Sequence, residues 1–257
     1  IPSRCFANCT ALTEIDVHKN IKGVANDALV GSGYEKNQAN GPLCLGRILY
    51  SYKGNVKDIV VPEGISIIEA GAFLGNTSIE KLTLGYDVEE IGDYAFQNCT
   101  SLTTIVVNDA MGIVGDGTFK GCTALKAADF SNSTLAYIGY EAFSGCTALA
   151  DVKLSETTSE IGDYAFANTK IETIEFGKNI NSVGANSFLN ASKLKSFVVV
   201  DKNKTYSAVD GVLYNKDGNE LVVFPAAKTG TFNLPKDVWK ICDKAFYGSA
   251  ISSVKLD

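Results

Sequence analysis

A hexapeptide with a constant hydrophobic pattern recurs along the chain and constrains the fold more than any other feature. Ile or Val begins the segment and Phe ends it, most clearly at 91–96, 138–143, 161–166, 183–188 and 241–246. Six of the phenylalanines follow one another at intervals of 22 to 24 residues: Phe73, Phe96, Phe119, Phe143, Phe166 and Phe188. A fixed period of this length indicates a solenoid, in which each unit packs on its neighbours.

Extending the series to both ends gives nine coils. Phe6 precedes a degenerate copy that ends at Leu29, and Phe246 closes the series. Because the repeat is continuous, we expect one solenoid over 1–257, although the length alone would allow two domains. A composition of 46% hydrophobic and 20% charged residues is typical of a chain with a well-buried core. The first coil is incomplete, and we expect the chain to be a fragment of a longer protein.

Each coil contains a second segment with the pattern Leu-x-x-Ile-x-Val, as at 102–107, 149–154, 171–176 and 194–199. Its last two apolar residues are two positions apart, which fits one face of a β-strand. The segment around each Phe has room for only a turn or two of helix. The sequence therefore predicts an α/β-type, mostly β solenoid, a right-handed coil of about 23-residue repeats with a parallel sheet.

Two stretches interrupt the period, at about 31–56 and 201–228, and we interpret both as β-hairpin insertions. The turn signals are Lys53-Gly54-Asn55 and Asp217-Gly218-Asn219, each between apolar runs. Tyr50 and Tyr214 align with each other and are expected to fill the small cores of the hairpins. The polar, Gly-rich stretch 31–41 is expected to be a surface loop.

The repeated pattern Ile-Gly-x-x-Ala-Phe-x-x-Cys-x-x-Leu, with Val-Pro-x-x-Ile at 61–65 and Asp-Gly-Val-Leu-Tyr at 210–214, resembles the BspA-type leucine-rich repeats. That family occurs in surface and secreted proteins of Bacteroides-like and other host-associated bacteria. The resemblance covers essentially the whole chain. It implies an extracellular or cell-surface location and a non-catalytic protein-interaction or adhesion module, whose partner would be a host or bacterial surface protein or a glycan. It supplies no catalytic motif.

Four of the seven cysteines occupy one slot of the repeat, three residues after the Phe: Cys9, Cys99, Cys122 and Cys146. Other coils place Ser, Asn, Thr or Ala in the same slot, so the position selects a small side chain. We therefore expect buried, reduced thiols there. Disulfides between adjacent coils and a metal site are the weaker alternatives.

Motifs for catalysis and for cofactors are missing from the sequence. The single histidine, His18, has no nucleophile beside it, and no phosphate-binding loop occurs. The segment 201–205 has alternating oxygen ligands but lacks the Gly and the distal Glu of a calcium loop. We expect no cofactor, no metal and no enzymatic activity. The alternatives are a β-solenoid polysaccharide-active enzyme, or a passive spacer for another domain.

Charge and hydropathy exclude further classes of partner. The net charge is −6 and no basic stripe occurs, which argues against nucleic acid. No apolar run approaches the roughly 20 residues of a membrane span, so this segment is not expected to insert into a membrane. We expect a monomer.

The outward slots of the strands supply the candidate interaction surface. Asp129, Lys153 and Glu175 occupy successive outward slots, with Asp151 beside them. They form either a charge ladder that keeps the face soluble or a binding surface. Asp129, Asp151 and Glu175 are also the nearest approach to the carboxylates that a lyase would need. In the insertions, Tyr52 and Tyr206 are candidate exposed contacts. We expect a partner to contact the 46–56 or 203–224 insertion or the face around Lys153, and not the Phe-bearing turn.

Overall fold

The computed structural model describes residues 1–18 and 20–256, which form a solenoid of about nine coils built almost entirely from short strands and turns. The described residues contain one helix, α1 (Gly33–Asn37), and the following strands. In chain order these are β1 (Gly41–Leu45), β2 (Ile48–Lys53), β3 (Asp58–Val60), β4 (Ile67–Ile68), β5 (Lys81–Thr83), β6 (Glu90–Ile91), β7 (Thr104–Val106), β8 (Ile113–Val114), β9 (Ala127–Asp129), β10 (Tyr137–Ile138), β11 (Asp151–Lys153), β12 (Glu160–Ile161), β13 (Thr173–Phe176), β14 (Ser182–Val183), β15 (Ser196–Val199), β16 (Tyr206–Val209), β17 (Val212–Asn215), β18 (Glu220–Val223), β19 (Gly230–Asn233), β20 (Lys240–Ile241) and β21 (Ile251–Lys255).

Six two-residue strands, each ending on the first residue of a hexapeptide, extend the hairpin β1-β2 into a continuous sheet of eight strands, in the order β1-β2-β4-β6-β8-β10-β12-β14. All of its pairs are parallel except β1 with β2. The inward residue of one coil pairs with that of the next, as Ile91 does with Val114. This register places one buried aliphatic residue per coil in a single row, as a stacked solenoid requires.

The longer strands lie on another side of each coil, and their sheet is interrupted. They pair in parallel within four groups, β3-β5-β7, β9-β11, β13-β15 and β19-β21. Central residues such as Leu82 and Ile174 are buried, whereas the next residue faces outward. The outward residues Asp129, Lys153 and Glu175, and Asp151 beside them, are exposed, as predicted.

The phenylalanines form a stack through the core. Consecutive rings from Phe73 to Phe188 lie 4.6 to 5.5 Å apart between centroids and are tilted by no more than 17°. Offset stacking at this separation is favourable beyond the area that it buries. The period read from the sequence therefore corresponds to one continuous aromatic ladder.

A left-handed residue two positions after the Phe closes the turn in every coil. Only Gly and Asn occupy this slot, and all have positive φ: Asn8, Gly31, Gly75, Asn98, Gly121, Gly145, Asn168, Asn190 and Gly248. Other L-residues are disfavoured in this conformation because Cβ approaches the following carbonyl oxygen. This requirement explains why asparagine recurs at this corner of the repeat.

The two insertions contain hairpins, but the turn of the first is not where the sequence predicted it. β1 and β2 are antiparallel and joined at Gly46–Arg47, whereas Lys53-Gly54-Asn55 leads from β2 towards β3 on the other side of the coil. The turn signal was misassigned because Ile48–Leu49 must pair with Ile67–Ile68 to continue the parallel sheet. In the second insertion the predicted turn around Asp217–Gly218 is confirmed between β17 and β18.

Further differences concern the interior of the insertions. The second one contains an additional hairpin, β16 with β17, turning at Asp210–Gly211. The stretch 31–41 is not simply a loop, because α1 begins after Ser32, whose buried hydroxyl accepts the backbone N–H of Glu35. Tyr50 and Tyr214 are 3% and 2% exposed, so their predicted role as hairpin core residues is confirmed.

Candidate interaction surface

Charged side chains lie side by side on the outward slots of β9 and β11. These strands are in register, so that Asp129 is opposite Lys153, and the Lys153 Nζ donates to Asp129 Oδ2 at 2.9 Å. Hydrogen bonds from Lys153 and Ser131 lower the pKa of Asp129 to about 2. Both side chains remain half exposed, so the pair orients the two charges more than it stabilises the fold.

The other two charged candidates, Asp151 and Glu175, do not take part in this ion pair. Asp151 is opposite Ala127, two positions before Lys153 on the same strand. Glu175 lies on β13, opposite Val198, and within the described residues it forms no ion pair. Asp129 is thus engaged by Lys153, and Glu175 lies across a break in the sheet from Asp129 and Asp151.

Two clefts open where the sheet of longer strands is interrupted. The large cleft, of about 650 Å³, lies at the break between β11 and β13, and is lined by Lys153, Glu156, Glu175, Lys178 and Lys202 among others. The small cleft, of about 260 Å³, lies at the break between β7 and β9 beside Asp129. The Asp129–Lys153 pair therefore stands between the two. Ligand sites commonly have volumes of about 300–1,000 Å³, a range that includes the large cleft.

The large cleft is lined by charged side chains of both signs together with apolar ones. Lys178 Nζ lies 3.8 Å from Glu156 Oε2, and Lys153 is held by Asp129. Glu175 and Lys202 have no ion-pair partner in the part of the chain that the structure describes. The hydroxyl-bearing residues Ser131, Ser155 and Thr173 also line the cleft, together with Leu154 and Val200. Such a lining can hydrogen-bond an extended polar ligand from several directions.

The two candidate tyrosines of the insertions are part of the packing. The expectation that Tyr206 is an exposed contact is wrong: it is 8% exposed, its hydroxyl accepts the N–H of Val183 at 3.1 Å, and burial raises its pKa. Its ring packs edge-on against Phe176. Tyr52 is half-buried and stacks on Phe73 with centroids 5.3 Å apart, which extends the aromatic ladder by one ring. The ring of Tyr206 is therefore closed to a partner, whereas a contact through the exposed part of Tyr52 stays a prediction.

Three of the four thiols in the repeated slot are buried as predicted, whereas the expectation is wrong for Cys9, which is exposed in the first coil, where a neighbouring coil packs on one side only. Cys99, Cys122 and Cys146 are fully buried, and each Sγ donates to the carbonyl oxygen of the Phe in the preceding coil at 3.1 to 3.3 Å. Burial raises the pKa of Cys99 and Cys146 to about 12. Reactivity requires the thiolate, so these groups are poor nucleophiles in the folded protein.

Metal, histidine and membrane-spanning sites can be assessed over 1–18 and 20–256. No group of three or more His, Cys, Asp or Glu side chains there has the geometry to hold a metal ion. His18 is exposed, and its Nδ1 accepts the backbone N–H of Asn20 at 3.2 Å. None of the described helices has the length and apolar character needed to cross a bilayer.

Sequence reasoning missed a second group of aromatic residues. Tyr94, Tyr140 and Tyr164 occupy the two variable positions between Ile-Gly and Ala-Phe, and all three reach the surface. The signal was present in the hexapeptides themselves, since Tyr recurs at positions that packing leaves free.

Comparison with protein families and solved structures identifies relatives of the fold. The model of the BspA type leucine rich repeat region matches with six copies, at residues 1–39, 45–139 and 132–216. No curated protein matches the sequence. The pneumococcal vaccine antigen PcpA superposes with a TM-score of 0.70 at 21% identity, covering 82% of this chain and 58% of PcpA.

Two further structures are similar. A leucine-rich cell surface protein from Faecalibacterium prausnitzii has a TM-score of 0.59 at 20% identity, covering 86% of this chain and 77% of its own. A leucine-rich repeat protein from Eubacterium ventriosum has a TM-score of 0.53 at 24% identity, covering 85% of this chain and 54% of its own. At these identities the structures show a shared fold. Since the family model covers most of the sequence, this chain belongs to the BspA-type leucine-rich repeat family.

Proposed function

We propose that this chain is a non-catalytic interaction module that works outside the cell and holds a host or bacterial surface protein or a glycan at its longer-strand face. The observation that carries the proposal is the large cleft at the break between β11 and β13, where Glu175 and Lys202 are exposed and have no ion-pair partner among the described residues. Charges of this kind can pair with a ligand without first breaking an internal contact.

Membership of the family supports a location outside the cell. BspA-type leucine-rich repeat proteins are typically on the cell surface or secreted, and a similar structure is described as a leucine-rich cell surface protein. Leucine-rich repeats generally act as binding modules, which supports interaction over catalysis.

Two alternatives make different demands on the same face. A polysaccharide-active enzyme would need Asp129, Asp151 and Glu175 to converge, whereas Asp129 is bound to Lys153 and Asp151 lies two positions away along the ladder. A passive spacer would need no ligand at the cleft at all. Binding measurements on variants of the cleft separate these cases.

The test measures binding of the purified chain to immobilised host matrix proteins and glycans. The cleft variant combines Lys153→Ala, Glu175→Ala and Lys202→Ala, and we expect at least a roughly tenfold loss of affinity for the bound panel member, which corresponds to about 1.4 kcal/mol.

The matched control carries the same change of composition elsewhere on the same face. It combines Lys57→Ala, Glu80→Ala and Lys81→Ala, all exposed on or beside β3 and β5, and it should bind as the parent does. Equal affinity of the cleft variant and the parent would refute this placement. No binding by the parent would favour the spacer, and cleavage of a glycan would favour the enzyme.

A further inference from the structure

Four tyrosines form a surface where the eight-stranded sheet meets the Phe-bearing turns. This tyrosine surface consists of Tyr94, Tyr137, Tyr140 and Tyr164, of which Tyr94 and Tyr140 are 39% and 41% exposed and the others half-buried. The rings of Tyr140 and Tyr164 meet edge to face, with centroids 5.8 Å apart. These residues come from adjacent and next-adjacent coils and occupy the same part of the repeat, so they lie along one side of the solenoid.

Carboxylates surround the tyrosine surface, and none of the following is in an ion pair within the described residues: Glu90, Asp93, Asp116, Glu160 and Asp163. The Tyr137 hydroxyl lies 3.4 Å from Asp116 Oδ1. Burial and the nearby carboxylates of Asp116, Glu160 and Asp93 raise the pKa of Tyr137. Burial, with Glu69 and Asp93, also raises the pKa of Glu90. The patch therefore combines aromatic faces with crowded negative charge.

The fold does not require tyrosine at these positions. Tyr94 and Tyr164 have φ of 56° and 58°, and the equivalent residues of neighbouring coils include Gly71 and Gly117 at similar positive φ. Glycine adopts this backbone with less strain than tyrosine does. Packing within the chain also leaves much of these rings in solvent. The ring of Tyr94 covers Gly117 of the next coil, and the part of the ring that stays exposed is available to another molecule.

We propose that the tyrosine surface binds a lysine- or arginine-containing segment of a partner protein. The cationic groups rest against the tyrosine rings and donate hydrogen bonds to the surrounding carboxylates. The choice of a cation follows from the charge, because a cation relieves the crowding of carboxylates and a neutral sugar does not. The molecule contains one weak example of the contact, Lys244 Nζ at 5.9 Å from the centroid of the Tyr164 ring.

The test uses a fluorescein-labelled peptide of four Arg-Gly-Ser repeats and a matched peptide with Gln in place of Arg, followed by anisotropy in low and moderate salt. We expect the Arg peptide to bind at least about tenfold more tightly than the Gln peptide, with affinity falling as salt rises. Tyr140→Ala should weaken binding by about threefold to fivefold, and Tyr140→Phe, which keeps the ring, should restore most of it.

Matched controls separate this surface from a general attraction to an acidic protein. Tyr86 is 85% exposed elsewhere, so Tyr86→Ala should leave binding unchanged. Glu160→Gln should weaken binding, whereas Glu63→Gln, which removes the same charge from another exposed site, should not. The triple variant of the large cleft should bind the Arg peptide as tightly as the parent does. The proposal for the tyrosine surface and the proposal for the large cleft can therefore be refuted separately.

Three results would overturn the inference. One is equal binding of the Arg and Gln peptides, and another is an equal effect of each substitution and its control. The third is Tyr140-dependent binding of cellohexaose with no preference for the Arg peptide, which would assign the surface to glycans.

Discussion

Replacing Phe143 by Ala should destabilise the protein by about 3–5 kcal/mol. The ring is fully buried, with stacked neighbours at 5.2 Å (Phe119) and 5.4 Å (Phe166) and an edge contact with Phe130 at 6.1 Å. The loss combines the transfer of the ring out of the core with the cavity that remains, a sum of about 3–5 kcal/mol for Phe→Ala. Because coils depend on their nearest neighbours, the loss is shared by the coils on both sides.

Equilibrium urea unfolding, followed by circular dichroism and tyrosine fluorescence, measures the loss. Phe143→Leu keeps most of the volume and should cost much less than Phe143→Ala. Phe6 is only half-buried and lies in the first coil, so Phe6→Ala should cost about 1–2 kcal/mol. Coincidence of the two probes would establish that a single free energy describes the transition.

A double-mutant cycle separates stacking from general burial. Phe119→Ala with Phe143→Ala should show a coupling of about 0.5–1.5 kcal/mol, because the two rings are in direct contact. Phe6→Ala with Phe143→Ala should be additive within about 0.5 kcal/mol, because these residues are remote. Equal losses at Phe6 and Phe143, or no coupling between Phe119 and Phe143, would refute the ladder as the source of stability.

Three further predictions concern single residues. Cys122 should react with a thiol reagent only after unfolding, whereas exposed Cys9 should react at once, and a disulfide at Cys122 found by non-reducing mass spectrometry would contradict this. Because the pKa of Asp129 is lowered, the stabilising effect of its carboxylate should be full above about pH 4 and be lost as pH falls towards 2. The difference in Tm between the parent and Asp129→Asn should therefore shrink over that range. A constant difference would argue against the ion pair. Asn98 has a φ of 59°, so Asn98→Ala should lower the free energy of unfolding by about 1–2 kcal/mol and Asn98→Gly by much less. Equal urea midpoints for the two variants would contradict the requirement for a left-handed residue at this position.

The regular part of the fold could be predicted from the sequence because every coil must meet the same packing requirements with residues at the same positions. The spacing of Phe73 to Phe188 predicts the stack, and the small residues that alternate with Cys99, Cys122 and Cys146 predict a buried slot. The insertions were harder, because a turn signal such as Lys53-Gly54-Asn55 carries no information about which neighbouring coil the adjacent strand must join. That choice is made by long-range pairing of Ile48–Leu49 with Ile67–Ile68.

Only part of the candidate interaction surface could be predicted from the sequence, for a related reason. Alternation along a strand correctly placed Lys153 and Glu175 outside, but the breaks that create the clefts depend on how neighbouring coils splay. No tyrosine of the first insertion aligns with Tyr206, so a comparison of the two insertions does not predict its burial. In the structure its hydroxyl accepts the N–H of Val183 from the preceding coil. The hexapeptides show the recurrent tyrosines, but how these residues lie relative to one another and to the carboxylates of neighbouring coils depends on the stacking of the coils.

The stacked phenylalanines also determine how the molecule responds to a pulling force. Each coil contributes to a core that it shares only with the coils beside it, so tension applied through the chain ends peels coils away one after another. A released coil of about 23 residues, extended at about 3.4 Å per residue, adds roughly 75 Å of contour length. Force–extension curves should therefore show a staircase with steps of this size. A protein attached to a surface and bound to a partner would dissipate sudden loads in small increments while its remaining coils stay folded.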